Sequence, residues 1–307
     1  MPFSEGSLID FLRARARRGP HVVVGIGHDA AVVRSPAGDE LVLKSDQTIE
    51  GVHFLRTEAP LGLFGRKALA RVMSDLGAIG ARPVACLCSA ALPDDLDEAG
   101  AHALFDGILG LADGERVSLV GGDLSRSPGG IALDVAALGF LEGRAPMLRS
   151  GAQAGDALVV TGPLGGSRAG HHLRFEPRWR EGMALAGSGL VHACIDLSDG
   201  LARDLHHLAR ASQVGARLQT GALPLRPLAA GATATVEQAL HDGEDFELLF
   251  AAPPAALATL AGLPALAAVT LTRIGTVVPE REGVTRVDGQ GAATTLPQGG
   301  FEHRFGG

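Results

Sequence analysis

The sequence contains no tyrosine and one tryptophan, and aromatic residues make up 4% of its 307 positions. Proteins that bind single-stranded nucleic acid stack the bases on aromatic side chains, so this composition disfavours that function. Basic residues are also in the minority, with 27 lysines and arginines against 34 aspartates and glutamates and a net charge of −7. A basic surface for nucleic acid is therefore not expected.

Cysteine is scarce as well: Cys86, Cys88 and Cys194 cannot pair completely, and no C-x-x-C or Cys/His zinc spacing occurs. We therefore expect reduced thiols in a cytoplasmic protein. Residues 4–18 lack the apolar run of a signal peptide and have an amphipathic helical pattern. The uncharged stretch at residues 248–272 contains three prolines, which favours a loop and a short helix over a membrane span.

The order of local patterns indicates two domains. A chain of 307 residues has room for about two domains. Strand-like and helical patterns alternate on both sides of a break rich in Gly, Arg and Pro near residues 142–155. This arrangement predicts two α/β domains, with residues 1–143 in the first and residues 144–307 in the second.

The sequence has no P-loop, because no G-x-x-x-x-G-K-[ST] pattern occurs. Any nucleotide must therefore be bound in another way. Gly25 and Gly27 follow a strand pattern, as they would in a dinucleotide fingerprint. The third glycine is missing, however, and residues 30–33 have a strand pattern instead of a helical one, which argues against such a site.

Aspartates recur at predicted strand ends and turns, and each one alone is better explained as a turn or cap residue. Strand ends at one edge of an α/β sheet lie close together, so the set predicts a carboxylate cluster. Two carboxylates about 4 Å apart repel by roughly 1 kcal/mol in water and about 4 kcal/mol at an effective dielectric of 20. Mg²⁺ relieves this repulsion and also binds phosphate oxygens. The aspartates concerned are Asp29, Asp46, Asp75, Asp123, Asp196 and Asp199.

Two further segments have more than one explanation. The glycine-rich turn at residues 161–167 follows a strand and opens a helix, so phosphate binding and a tight strand-to-helix turn explain it equally well. The acidic segment at residues 241–247 is, by itself, typical of a solvated loop.

Six motifs occur in the order found in the thiamine monophosphate kinase family, which this chain resembles over nearly its whole length. They are GHDAAV at 27–32, SD at 45–46 with EGVHF at 50–54, KAL at 67–69 with SDL at 74–76, VGGD at 120–123, IDLSDGL at 195–201 and GEDFEL at 243–248. FEHRF at 301–305 resembles the aromatic C-terminal end of the family.

The resemblance implies an α/β (α+β) fold of the aminoimidazole ribonucleotide synthetase-like (PurM-like) type, with two domains. It further implies a homodimer in which the N-terminal domains form a barrel. The implied activity is ATP-dependent phosphorylation of thiamine monophosphate to thiamine diphosphate by in-line transfer, with several Mg²⁺ ions. The acceptor is itself a phosphate with a second pKa of about 6, so positioning and charge neutralisation supply most of the catalysis.

The resemblance also implies the residues of the site. The Mg²⁺ ligands would be Asp29, Ser45, Asp46, Asp75, Asp123, Asp196 and Asp199, of which Asp46, Asp123 and Asp199 are also the catalytic residues. ATP would be contacted by Gly122, Asp123, Arg149 and Ser198. Thiamine phosphate would be contacted by His53, Glu244 and Phe301, and Phe301 would stack on the cationic thiazolium for about 0.5–2 kcal/mol.

Several features depart from the family pattern, among them Ser45 in place of the more usual threonine and Val72 where a polar residue is common. His28 replaces a second acidic residue, and the segment at residues 170–180 is shorter than usual. Lys44 stands where a small hydroxyl residue is common. Because Lys44 and Asp46 share one face of a strand, the ammonium either neutralises part of the carboxylate cluster and reduces metal occupancy there or extends into solvent.

Two alternative functions remain open at the level of sequence. One is another ATP-using member of the same superfamily, an aminoimidazole ribonucleotide or selenophosphate synthetase. A selenophosphate synthetase requires a reactive cysteine or selenocysteine near the N-terminus, whereas the first cysteine is Cys86. The other is a nucleotide-binding regulator without catalysis.

Overall fold

Two β-sheets, one from each half of the chain, form the framework of the protein. The structure is a computed structural model that describes residues 3–305. In chain order the first half contains β1 (Phe3–Ser4), α1 (Glu5–Arg15), β2 (Val22–Val24), β3 (Ala31–Arg34), β4 (Glu40–Ile49), α2 (Leu61–Ile79), β5 (Arg82–Pro93), α3 (Glu98–Glu115), β6 (Ser118–Ser127) and β7 (Ala132–Phe140).

The second half begins with a strand that follows the glycine-rich break. In chain order it contains β8 (Ala157–Thr161), α4 (His171–Arg174), α5 (Trp179–Ser188), β9 (Ala193–Asp196), α6 (Leu201–Ser212), β10 (Val214–Gln219), α7 (Val236–His241), β11 (Leu248–Ala252), α8 (Leu257–Ala261), β12 (Leu271–Pro279), β13 (Val284–Val287), β14 (Ala293–Thr295) and β15 (Arg304–Phe305).

The first sheet has the strand order β2-β3-β4-β7-β5-β6, and the second has β14-β13-β10-β12-β8-β11-β9. Strands β1 and β15 form a separate antiparallel pair. The predicted mixed α/β fold is confirmed. Within residues 3–305 most neighbouring strands are antiparallel, however, and the parallel pairs are β5 with β6 and β10 with β13.

The antiparallel strand order shows that the aspartates do not meet for the predicted reason, namely that their strands end at the same side of one sheet. The C-terminal ends of adjacent antiparallel strands lie at opposite ends of the strands' common axis, so they do not converge. Asp46 and Asp123 lie inside β4 and β6, and Asp75 lies inside α2. The aspartates that do meet are brought together by packing between the two halves of the chain.

Helix α2 carries part of the candidate site and is buried along most of its length. It packs against α3 and β4 in the first half and against α5 and β9 in the second. The helices approach closely at glycines: a Cβ on Gly65 would lie 1.9 Å from the Leu104 carbonyl oxygen, and one on Gly182 would lie 1.9 Å from that of Gly77. Part of the high glycine content therefore allows α2 to pack tightly between its neighbours.

The uncharged stretch at residues 248–272 forms β11, the short helix α8 and the beginning of β12. This agrees with the loop and short helix expected from its prolines. Among residues 3–305, no helix is both long enough and apolar enough to cross a membrane.

Candidate active site

A cavity of about 1060 Å³ is lined by both halves of the chain. Its walls come from α1, β4, α2, the loop before α6 and the segment before β15. Ligand pockets commonly measure about 300–1,000 Å³, so this cavity has room for more than one small ligand. The predicted site residues that line it are Asp29, Ser45, Asp46, His53, Asp75, Arg149, Asp196, Ser198, Asp199, Glu244 and Phe301.

Three buried aspartates meet in this cavity. Asp29, Asp75 and Asp196 each place one carboxylate oxygen within 4.8 Å of the others. Asp29 precedes β3, Asp75 lies on α2 and Asp196 ends β9, so elements from both halves of the chain build this aspartate trio. Carboxylate oxygens are hard ligands, and the set therefore suits Mg²⁺ better than a soft transition metal.

A fully buried oxygen of the aspartate trio, Asp29 Oδ2, lacks a hydrogen-bond partner within residues 3–305. Arg149 Nη2 donates to Asp29 Oδ1 at 2.7 Å, and Ser74 Oγ donates to Asp196 Oδ2 at 2.8 Å. Asp29 Oδ2 is buried and has no hydrogen-bond partner among the described residues. Since buried polar atoms are normally paired, this unpaired oxygen beside two further carboxylates fits a bound divalent cation.

The electrostatics of the site also favour a cation. Burial raises the pKa of Asp75 well above its usual value. Burial, followed by the charge of Asp29, raises the pKa of Asp196 to about 7, and burial, followed by the charge of Glu5, raises the pKa of Asp199 to about 6. Raised carboxyl pKa values mean that the ionised forms are unfavourable in the folded protein. A divalent cation in the cavity would stabilise them.

Lys44 points into this cluster and does not extend into solvent. Its Nζ lies 2.9 Å from Asp75 Oδ1, and its side chain is 24% exposed. Asp46, on the same face of β4, forms an ion pair with Arg71 in which Nε lies 3.0 Å from Oδ2. The first of the two sequence-based alternatives, partial neutralisation of the carboxylates, is the one observed.

The three residues expected to contact thiamine phosphate lie near one another. The rings of His53 and Phe301 are 6.5 Å apart. The buried Lys67 connects Glu244 with His53. Its Nζ lies 2.6 Å from Glu244 Oε1 and donates to the His53 carbonyl at 2.8 Å. His53 Nδ1 accepts the Ile49 N–H at 3.0 Å, and burial lowers the pKa of His53 to about 4. The neutral ring therefore carries its proton on Nε2, as a hydrogen-bond donor.

The acidic segment at residues 241–247 is not a solvated loop, because its carboxylates bind cations of other elements. Asp245 accepts from Arg226 at 3.0 Å, and Glu247 accepts from Arg178 Nε at 2.7 Å. Both acidic residues are almost fully buried. The segment therefore holds β11 and its neighbours in place while it presents Glu244 to the cavity.

The glycine-rich turn at residues 161–167 is likewise committed to the protein. The Gly165 N–H donates to both carboxylate oxygens of Asp245 at 3.0 Å, and the Gly166 N–H donates to Asp242 at 3.0 Å. These amides are therefore occupied by side chains. The tight turn explains them without a bound phosphate.

Two predicted residues, Gly122 and Asp123, do not line the cavity. They lie on the edge strand β6, three strands from β4, which corresponds to about 14 Å at about 4.8 Å per strand. The register pairs Asp123 with Ser89 and Ser89 with Asp134, and Ser45 Oγ donates to Asp134 Oδ1 at 2.7 Å. Because side chains alternate along a strand, the side chains of all of these lie on the face of the sheet opposite Lys44. Ser45, a predicted Mg²⁺ ligand, therefore borders the cavity, but its hydroxyl binds Asp134 and points away from the aspartate trio.

Sequence reasoning assigned no role to three residues of α2 that support the site. Lys67 binds Glu244, Arg71 binds Asp46, and Ser74 binds Asp196. A signal was present, because Lys67, Arg71 and Asp75 follow one another at intervals of four residues in a mostly apolar helix. This spacing places them on one helix face.

Two family models match the chain. The model described as "AIR synthase related protein, N-terminal domain" matches residues 27–141, and the corresponding C-terminal domain model matches residues 153–288. Together they cover most of the sequence, one for each half.

Curated relatives match over almost their whole length. The thiamine-monophosphate kinase of Rhodopirellula baltica is 40% identical over 312 residues, with 97% of each chain covered. That of Escherichia coli K12 is 35% identical over 330 residues, with 99% of each chain covered. A solved structure described as "AaThiL complexed with AMPPCP and TMP" is 30% identical, with a TM-score of 0.83 and coverage of 98% of this chain and 97% of that one.

Proposed function

The chain belongs to the thiamine-monophosphate kinase family, and we propose that it transfers the γ-phosphoryl group of ATP to thiamine monophosphate, releasing ADP and thiamine diphosphate. The observation that carries this proposal is the aspartate trio with its unpaired Asp29 oxygen, in a cavity that has room for two substrates. The structural relative named above was solved with an ATP analogue and TMP, which are the two ligands that this cavity would bind.

The aspartate trio would hold Mg²⁺, and Asp46 and Asp199 line the same cavity as further acidic ligands. When bound, Mg²⁺ neutralises charge on the transferring phosphoryl group and orients ATP for in-line attack. Arg149 and Ser198 also line the cavity and would contact the nucleotide.

The acceptor side requires binding and orientation more than proton transfer, since the attacking phosphate is largely ionised near neutral pH. The Nε2–H of neutral His53 is a suitable donor to this phosphate. The Phe301 ring would lie against the thiazolium cation, and Glu244 would contribute a polar contact. His53 belongs to the first half of the chain, whereas Glu244 and Phe301 belong to the second. Bound thiamine phosphate would therefore contact both halves and be oriented by them.

Direct assay tests this function. The full chain, supplied with ATP, Mg²⁺ and thiamine monophosphate, should form ADP and thiamine diphosphate in equal amounts. Thiamine, which lacks the acceptor phosphate, is the matched control and should not react. A protein that binds ATP and Mg²⁺ but forms no thiamine diphosphate would be a nucleotide-binding regulator, and the proposal would be wrong.

We also infer a cytoplasmic location, because ATP is the co-substrate. The three cysteines are buried free thiols, as expected in a reducing compartment.

We further propose that the protein is a homodimer. It would be joined through the face of the first sheet opposite Lys44 and through the edge strand β6. On this face and edge Leu43, Leu87, Val120 and Leu124 are 44%, 46%, 63% and 68% exposed. Exposed apolar patches of this kind mark interfaces. Asp123 is part of the same surface, so a second copy would allow it to complete the site of its partner.

A doubly tagged heterodimer tests whether Asp123 acts across the interface. We expect Asp123→Asn and Asp199→Asn each to be inactive as homodimers. In a purified heterodimer of the two, one site combines both wild-type residues, so about half of the wild-type activity should return.

A heterodimer of wild type with Asp199→Asn is the control, and it should retain half of the activity in either arrangement. No activity in the heterodimer of the two variants, with the control active, would place Asp123 in its own chain's site.

A further inference from the structure

Lysine is almost absent from this chain. Lys44 and Lys67 are its two lysines, so arginine accounts for the other 25 of 27 basic residues, 27 − 2. Both lysines bind carboxylates of the candidate site, Lys44 on Asp75 and Lys67 on Glu244. A lysine ammonium is a compact point charge, whereas guanidinium is a broad planar group. Both side-chain ammonium groups are therefore committed to the candidate site.

The position of Lys44 resembles that of a bound cation. Its ammonium contacts Asp75 Oδ1 at 2.9 Å, and it lies on the same face of β4 as Asp46. It leaves Asp29 Oδ2, another oxygen of the aspartate trio, without a hydrogen-bond partner in the described part of the chain. The trio thus offers one position that is filled by the protein and one that has no partner.

Counting charge gives the same division. With its three carboxylates ionised, as they would be around a bound cation, the trio contributes −3, and Lys44 and Arg149, which bind it directly, contribute +2. The remaining charge is −3 + 2 = −1, and Asp199 in the same cavity brings it to −1 − 1 = −2, whereas Asp46 has its own partner in Arg71. A single divalent ion at the unpaired Asp29 oxygen would balance this charge before any nucleotide phosphate is added. A second ion beside Asp75 would meet a like charge at close range.

We propose that the Lys44 ammonium takes the place of one divalent ion beside Asp75, so that this protein binds one Mg²⁺ fewer than it would with a neutral residue at position 44. The inference deepens the proposed kinase function, which supplies the nucleotide and the metal, but its test counts ions and does not depend on turnover. The consequence for the reaction is that part of the charge neutralisation is built into the fold.

Metal counting on matched variants tests this inference. Mn²⁺ replaces Mg²⁺ as the probe, and free Mn²⁺ is measured by electron paramagnetic resonance during titration of the full chain with saturating AMPPCP. Lys44→Thr, which introduces a small hydroxyl, should bind one more Mn²⁺ per chain than wild type. Lys44→Arg keeps the charge and should give the wild-type number. Equal numbers in wild type and Lys44→Thr would overturn the proposal.

A second measurement uses wild-type protein, in case Lys44→Thr does not fold. Lysine-selective ¹³C labelling gives two side-chain signals, which Lys44→Arg assigns. On loading with Mg²⁺ and AMPPCP, the Lys44 signal should keep its position, because the ammonium stays on Asp75. Movement of this signal to the position of a solvated lysine would show that metal displaces it, and would overturn the proposal.

These outcomes are separate from those of the activity assay. Absence of thiamine diphosphate formation, with the expected Mn²⁺ counts, would refute the kinase function and leave the role of Lys44 intact. Normal turnover with equal Mn²⁺ counts in wild type and Lys44→Thr would support the kinase function and refute the role of Lys44.

Discussion

Replacing Asp199 with asparagine is expected to lower kcat for phosphoryl transfer by about three orders of magnitude, comparable to the loss of a charge-stabilising group in other phosphotransferases. Asp199 lies in the cavity between β9 and α6. Its carboxylate is one of the acidic ligands available to Mg²⁺, and a neutral amide binds a hard cation more weakly. The measurement is steady-state kinetics with saturating ATP, Mg²⁺ and thiamine monophosphate.

The fold should survive this change, because the hydrogen bonds that place Asp199 are made by its backbone. Its N–H donates to Asp204 Oδ2 at 3.1 Å, and its carbonyl accepts from the Phe301 N–H at 2.9 Å. The side chain instead suffers burial and the nearby charge of Glu5, which raise its pKa to about 6. Without metal, the variant should therefore melt at the same temperature as wild type or higher.

The pH dependence of stability provides a second readout. A carboxyl pKa that is higher in the folded than in the unfolded state means that the folded protein binds more protons between the two values. Metal-free wild-type protein should therefore lose stability as the pH rises from about 4 to 7. Since Asp196 and Asp199 both contribute, Asp199→Asn should show a shallower decline. Melting temperatures in EDTA across this range measure it.

Asp106→Asn is the matched control, because Asp106 is exposed on α3. It should change neither kcat nor the pH dependence. If Asp199→Asn retained activity within about tenfold of wild type, a loss below about 1.4 kcal/mol in transition-state stabilisation, Asp199 would not be an essential ligand.

The sequence predicted the local structure best where apolar periodicity is strong. Helix α6, for example, lies at Leu201–Ser212, where apolar residues recur at helical spacing. Strand order is a different matter, because it depends on contacts between residues far apart in the chain. Asp123 illustrates this limit: its motif resembles that of the family, but nothing local shows that β6 is an edge strand, outside the cavity.

The acidic segment at residues 241–247 is a second example of this limit, because its burial also depends on contacts that are distant in the sequence. Its composition is typical of solvent-exposed loops, but its partners Lys67, Arg178 and Arg226 come from three other parts of the chain. Burial of a charged residue becomes favourable only when such partners are in place. A single sequence does not reveal these pairings. The composition of the segment therefore predicts that it is exposed to solvent, although two of its carboxylates are buried in the structure.

Replacing Lys67 with methionine is expected to have the largest effect on stability. Lys67 is fully buried, and its ammonium binds Glu244 and the His53 carbonyl. Methionine fills similar space but leaves both acceptors without their donor. We expect the free energy of unfolding to fall by about 3–5 kcal/mol, the usual cost of removing one partner of a buried ion pair. Chemical denaturation of the metal-free protein measures this change.

A surface ion pair serves as the control. Arg217 and Glu282 are 2.7 Å apart with side chains 49% and 36% exposed, and such pairs contribute about 0–1 kcal/mol. Arg217→Met should therefore change the free energy of unfolding by no more than this amount. A similar small change in Lys67→Met would show that the buried pair has little net value.

The double variant Lys67→Met/Glu244→Gln separates stability from substrate binding. Glutamine removes the unpaired charge that Lys67→Met leaves behind, so part of the lost stability should return. The KM for thiamine monophosphate should stay raised in both variants, because the positions of His53 and Glu244 depend on Lys67, while the KM for ATP should change little. If the double variant recovered wild-type KM together with stability, Lys67 would hold the fold and have no part in positioning the acceptor.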